Sequence, residues 1–203
     1  MKLGIFGGSF SPVHQGHLLL AETCREQCQL DQVWFVPAAT PPHKQSTKLA
    51  SDQHRVAMLE LAIAGNEAFK VSDIELQRGG ISYTVDTLQH IREANPEAEL
   101  YLLIGADSLE DLPTWHKIGG ICVLALPVVI ARAGQAEPNW QVLAPLVSTE
   151  RLAKIEQLKV DVTPVGFSST EIRNRVASGR SIRYQLPRSV EKYIETQKLY
   201  LES

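Results

Sequence analysis

The chain has 203 residues, 44% of them apolar and 21% charged, a balance that suits one soluble globular domain with a full core. Its net charge of −3 gives no sign of the basic face that a nucleic-acid partner requires. There is no apolar run long enough for a membrane span, Met1-Lys2-Leu3-Gly4 lacks the apolar core of a signal peptide, and Cys24, Cys28 and Cys122 are too few and too odd for a disulfide framework. A cytoplasmic protein with reduced thiols is therefore expected, with no membrane partner.

Leu3-Gly4-Ile5-Phe6 reads as a buried strand and Leu18-Leu19-Leu20-Ala21-Glu22 as a helix. Between them lies Gly7-Gly8-Ser9-Phe10-Ser11-Pro12-Val13-His14-Gln15-Gly16-His17. A strand that hands over to a helix N-terminus offers unpaired N–H groups and the positive end of the helix dipole, which suits phosphate. His14 and His17, three apart, fall on one side of an incipient helix, and Gly16 lets a ligand approach the backbone. Two adjacent donors gripping a polyphosphate is one reading; a tight turn with two surface histidines is the other. The pattern is neither a Walker A loop nor a G-x-G-x-x-G fingerprint, and His-x-x-His has no third ligand nearby for zinc.

Strand and helix signals then alternate. Gln32–Val36 is a continuous apolar run ended by Pro37, followed by a loop, Ala38 to Ser46, with two prolines and with His43 and Lys44 at its tip. Ser51 caps a helix whose inner face carries Val56, Leu59 and Ile63 and which stops near Gly65. Phe69 to Leu76 alternates and reads as a strand. After Arg78-Gly79-Gly80, Thr84 is a candidate N-cap for a helix with Leu88 and Ile91 inside, closed by Asn95-Pro96. Glu99–Ile104 is a buried strand that ends in Gly105-Ala106-Asp107, where ligands bind in open α/β sheets and where an aspartate can accept from a ribose or a base amine. Trp115, just after Pro113, is placed to stack on a flat ring or to fill the core. Cys122 to Arg132 reads as a fifth strand interrupted by Pro127, Gly134 to Pro145 as a surface segment, Arg151–Gln157 as a helix, and Val160–Val162 as a sixth strand. Ser168 and Glu171 have capping-box spacing; the helix they start presents N–H groups, the Ser169 and Thr170 hydroxyls and the Arg173 guanidinium within one turn, a second phosphate cradle. Leu186-Pro187 opens a last helix with Val190 and Ile194 inside. The expected fold is a Rossmann-like, doubly wound, mostly parallel sheet of five or six strands with helices on both faces, as a single domain over residues 1–203.

Gly7 to His17 resembles the G-G-[ST]-F-x-P-x-H-x-G-H signature of the adenylyltransferases that make nicotinate-adenine dinucleotide, within the His-x-Gly-His nucleotidyltransferase superfamily. Pro41-Pro42-His43-Lys44, Ser82-Tyr83-Thr84, Gly105-x-Asp107 with Pro113-x-Trp115, and Ser168-Ser169-Thr170-x-Ile172-Arg173 match further elements of that family in the same order over nearly the whole chain. The resemblance implies transfer of the adenylyl group of ATP to nicotinate mononucleotide, with pyrophosphate leaving and Mg²⁺ carried by the ATP phosphates.

It also implies the roles. His14, His17, Lys44 and Arg173 are the expected catalytic set. ATP falls to Gly7, Gly8, Ser9, Phe10, His14, Gly16, His17, Gly105, Asp107, Phe167, Ser168, Ser169, Thr170 and Arg173. Nicotinate mononucleotide falls to Ser9, Phe10, Lys44, Ser82, Tyr83, Thr84, Asp107, Trp115, His116 and Arg132, with Trp115 against the pyridine ring. No protein-bound metal is expected. Three departures stand out: Ser11 replaces the usual aspartate, His116 a common tyrosine, and Ala131-Arg132-Ala133-Gly134 follows the usual Arg-Pro-Gly turn only loosely. The alternatives are a sister adenylyl- or cytidylyltransferase with another phosphorylated acceptor, and a non-catalytic nucleotide-binding module. A homo-oligomer stays open.

Overall fold

A computed structural model describes residues 1–40, 49–132, 137–162 and 166–201. Six strands form one sheet: β1 (Lys2–Gly8), β2 (Gln32–Pro37), β3 (Phe69–Val71), β4 (Glu99–Gly105), β5 (Ala125–Arg132) and β6 (Val160–Val162). Their spatial order is β3-β2-β1-β4-β5-β6 and every pairing is parallel. Parallel neighbours need crossovers, and the helices supply them: α1 (Gln15–Gln27), α2 (Asp52–Ile63), α3 (Ile74–Arg78), α4 (Thr84–Ala94), α5 (Ala106–Asp111), α6 (Ile118–Leu124), α7 (Thr149–Glu156), α8 (Ser169–Ala177) and α9 (Arg188–Thr196). The winding reverses between β1 and β4, so a crevice opens beyond their carboxyl ends at Gly8 and Gly105.

Strands covered on both faces are apolar without alternation, and Leu3, Ile5, Val33, Phe35, Leu102, Ile104, Val128 and Val129 are all buried. Cys24, Cys28 and Cys122 are buried free thiols, and Cys24 is pushed up to about 12 by its burial, so these cysteines serve as small core residues.

Five expectations are corrected. The strand read over Phe69 to Leu76 ends at Val71; Asp73 N-caps α3, with Gln77 donating to its carboxylate at 2.9 Å, because this turn of helix brings Glu75 inward against Thr87. Cys122, Val123 and Leu124 end α6 instead of starting β5. Pro127 does not interrupt β5: β6 reaches only Ile130–Arg132, so one side of Pro127 has no ladder bond to lose. The buried residues of α2 are Arg55, Met58 and Leu59: Leu59 lies inside as read, whereas Val56 and Ile63 are only half-buried and Arg55 and Met58 take the inner positions. In the segment read as surface, Leu143 is wholly buried and Trp140 packs on the core.

Candidate active site

The signature turn leaves β1 at Gly8 and enters α1 at His14. Phe10 sits at φ 43°, and its ring lies in an aromatic cluster with Phe6 at 5.5 Å and Phe35 at 5.7 Å. A Cβ on Gly8 would stand 2.9 Å from the Phe10 ring, so glycine there is what lets the turn fold onto the core. Of the expected ligand residues, Phe10 can therefore meet a substrate only through its backbone.

His14 is the N-cap of α1 and only 6% exposed. Its backbone N–H donates to Nδ1 of His17 at 3.2 Å, and the two imidazoles stack with centroids 3.7 Å apart. An Nδ1 that accepts leaves the His17 proton on Nε2, a donor for phosphate. Burial pushes His14 down to about 4, so it is neutral at neutral pH and acts as a hydrogen-bonding group, not a cation. Its Nδ1 is buried with no partner among the described residues, packed over Gly16, whose added Cβ would lie 3.1 Å away. The pair is thus no surface feature; it is a prebuilt cap with one polar atom unsatisfied.

The second cradle closes on the first. Ser168 caps α8 by accepting from the N–H of Glu171 at 3.1 Å. The Ser169 hydroxyl donates to the Pro12 carbonyl at 2.8 Å, and Arg173 Nη1 donates to the Ser11 carbonyl at 2.8 Å while Nη2 reaches the Thr170 hydroxyl at 3.2 Å. Ser169, expected as a phosphate donor, is a tie between α8 and the signature turn. The remaining N–H groups of Arg173 and the α8 N-terminus are left for an anion. Phe167 stands beside Gly16 at the same junction.

A cavity of about 540 Å³ lies beside the turn, at the switch between β1 and β4. Gly7, Gly8, Ser9 and Gly105 line it, together with Ser82, Tyr83, Thr84, Trp115 and His116. Ser82 is fastened by accepting from the Ala39 N–H at 2.9 Å, which ties its segment to the end of β2. Tyr83, not Thr84, is the N-cap of α4, and its ring lies 4.3 Å from the His116 ring at 32°. Thr84 is the first helical residue, so the cavity meets a helix N-terminus with no side-chain cap. Asp107 is exposed in the first turn of α5, and Ser108 lines the cavity in its place. Lys44 lies outside the described residues, and for Arg132 only its position at the end of β5 is described. Among the described residues no three His, Cys, Asp or Glu side chains converge as a metal site.

A cytidylyltransferase-like family model matches residues 5–175. The chain is 45% identical over 199 residues to a Thermomicrobium roseum protein described as a probable nicotinate-nucleotide adenylyltransferase, covering 98% of this chain and 91% of the relative. It is 42% identical over 201 residues to a Salinibacter ruber protein of the same description, covering 98% of each. The chain belongs to the nicotinate-nucleotide adenylyltransferase family. The fold of the Plasmodium falciparum nicotinic acid mononucleotide adenylyltransferase, solved in complex with NaAD, matches at a TM-score of 0.75 and 18% identity over 100% of this chain and 98% of that one. The sheet and its helices are therefore the Rossmann-like frame of the nicotinate-nucleotide adenylyltransferases.

Sequence reasoning missed three residues that shape this adenylyltransferase-type site. Arg55, 1% exposed, donates from Nη1 to the Ser9 carbonyl at 3.1 Å and pairs with Asp52 at 2.5 Å; its signal was an arginine in register with Met58 and Leu59 on one helical stripe. Glu75 lines the cavity and accepts from the Thr87 hydroxyl at 2.6 Å. Tyr200 bonds Ser11 through its hydroxyl at 3.0 Å, a contact across 189 positions that no local pattern announces.

Proposed function

We propose that this chain transfers the adenylyl group of ATP to nicotinate mononucleotide, an activity of NAD biosynthesis. The observation that carries the reading is the junction of two unlike sites. A histidine-capped anion cradle, clamped by α8, opens onto a cavity walled by a tryptophan, a tyrosine–histidine pair and an uncapped helix N-terminus. Triphosphate suits the first, and a flat ring bearing a carboxylate suits the second.

In the reaction an oxygen of the mononucleotide phosphate attacks the α-phosphorus of ATP, the bond from that phosphorus to the bridging oxygen breaks, and pyrophosphate leaves. No side chain becomes covalently attached. The chain's residues supply in-line placement and neutralise charge gathering on the phosphates. His17 Nε2–H and His14 would hold the phosphates, with His17 near the leaving side. Arg173, the α8 N-terminus and, from the sequence, Lys44 would hold the triphosphate. Trp115 would stack on the pyridine ring while the N–H groups that open α4 receive its carboxylate, favouring nicotinate over its amide. Mg²⁺ would enter on the ATP phosphates and offset their charge.

The test is pyrophosphate release from MgATP with a panel of acceptors: nicotinate mononucleotide, nicotinamide mononucleotide, phosphopantetheine and a small phospho-alcohol. Nicotinate mononucleotide should give the highest kcat/KM. Release with another acceptor alone would point to a sister transferase, and binding of ATP without release to a nucleotide sensor.

A further inference from the structure

Ser11 stands where the resembled family usually carries aspartate, and it is not among the residues that line the acceptor cavity. It is wholly buried, and its two polar groups join four segments. The side-chain oxygen accepts the N–H of Ala50, just ahead of α2, at 3.0 Å, and shares a hydrogen bond with the Tyr200 hydroxyl at 3.0 Å. The carbonyl receives Arg173 of α8 at 2.8 Å.

Tyr200 lies past the end of α9 in a stretch with two left-handed residues, Lys198 at φ 51° and Tyr200 itself at φ 61°. Such backbone is unfavourable for a non-glycine residue and persists only where the surroundings over-determine it. The tail is attached at other points too: the Tyr193 hydroxyl holds α9 to His54 of α2 at 2.9 Å, and the Leu199 N–H returns to the Ile194 carbonyl at 3.1 Å. The bent tail packs the Tyr200 ring on the core and brings its hydroxyl to Ser11. Burial pushes that phenol up to about 12 against the opposing pull of the Arg173 and Arg55 charges, so it stays an uncharged O–H beside two cations.

We propose that Tyr200 is a positioning residue for the nucleotide site: by holding the Ser11 side chain it fixes the carbonyl on which the Arg173 guanidinium is hung, and so aims Arg173 at the triphosphate. This rests on the assignment of Arg173 to ATP made above. The Arg173 guanidinium hangs from the Ser11 carbonyl through Nη1 and from the Thr170 hydroxyl of its own helix through Nη2, so its tie across to the signature turn keeps its orientation only while the Ser11 carbonyl is held, and Ser11 is held through its side chain.

The test compares Tyr200→Phe, which keeps the ring and removes the hydroxyl, with wild type and with Ser11→Ala, which removes the same link from the other side together with the acceptor of the Ala50 N–H. The Kd for MgATP is measured by calorimetry without acceptor, so that the readout stands even if nicotinate mononucleotide is not the acceptor. Losing one such link should weaken ATP binding roughly 5- to 10-fold in both variants. The KM for nicotinate mononucleotide should stay within twofold, and far-UV circular dichroism should be unchanged. In an Arg173→Ala background Tyr200→Phe should have no further effect on ATP. An unchanged ATP Kd in Tyr200→Phe, even with a lowered melting temperature, would show a merely structural tyrosine and overturn the proposal. A penalty of equal size with and without Arg173 would overturn the route through Ser11.

Discussion

His14 and His17 divide one task by environment. His17 keeps its donor on Nε2 because Nδ1 is occupied by the His14 backbone, whereas His14 is held neutral by burial. His17→Ala should therefore leave the fold intact by circular dichroism and lower kcat about 10²- to 10³-fold, the cost of one missing transition-state donor; near-normal turnover would refute its place at the leaving pyrophosphate. His14 has a stability signature as well. Its folded value of about 4 lies below the ordinary 6.5, so between those limits the unfolded chain binds the extra proton. Its contribution is complete above about pH 6.5 and is lost as pH falls toward 4, to a limit of about 3 kcal/mol. Chemical denaturation midpoints over that range should fall less steeply in His14→Gln than in wild type; parallel curves would mean that folding leaves the proton affinity of His14 unchanged.

At the scale of elements, the site is a set of helix starts. α1, α4 and α8 each begin at the edge of the crevice, and each ends its N-terminus differently: a histidine cap, a tyrosine without a side-chain bond, and a serine that accepts from the third residue on. A side-chain cap satisfies one of the N–H groups at a helix start and fixes it in place, leaving the others for an anion; a start without such a cap keeps them all. Ser168→Ala should lower the unfolding free energy by about 1 kcal/mol. It should also raise the KM for ATP, since α8 carries Arg173 and, through Ser169, holds Pro12. Stability lost with the KM for ATP unchanged would separate the cap from the clamp. Arg55 belongs to this scale too: one guanidinium on α2 fastens Ser9 from behind, while Asp52 offsets its charge.

Over the whole molecule, the cleft exists because the chain runs outward from β1 in both directions, leaving β1 and β4 adjacent with their carboxyl ends uncovered. Residues from both ends of the sequence converge there, Ser11 with Arg173 and Tyr200. A ligand spanning cradle and cavity should stabilise the fold as a unit. Nicotinate-adenine dinucleotide at a hundred times its Kd should add about 2.7 kcal/mol and raise the melting temperature roughly 5–10 °C for a chain of this size. ATP or nicotinate mononucleotide alone should give separate shifts whose sizes follow their own affinities, and no shift with the dinucleotide would place its two halves elsewhere. No helix among the described residues is long and apolar enough to cross a membrane.

The sequence by itself determined what local chemistry determines. Apolar runs ended by glycine or proline marked β1, β2 and β4, and Ser51 and Ser168 announced their caps because a hydroxyl bonds an N–H three residues on. The signature histidines were legible for the same reason, since their bond spans three positions. Short or doubly covered pieces were not: Cys122 to Leu124 is as apolar as a strand, and only its packing beside α4 makes it helix. Tertiary structure alone decided that Phe10 belongs to the core, that Ser169 is a tie, and that a buried Arg55 and a distant Tyr200 brace the turn. Apart from the Phe10 ring, which packs on Phe6 and Phe35, those contacts join residues 46 to 189 positions apart, and no periodicity along the chain encodes a partner that far away.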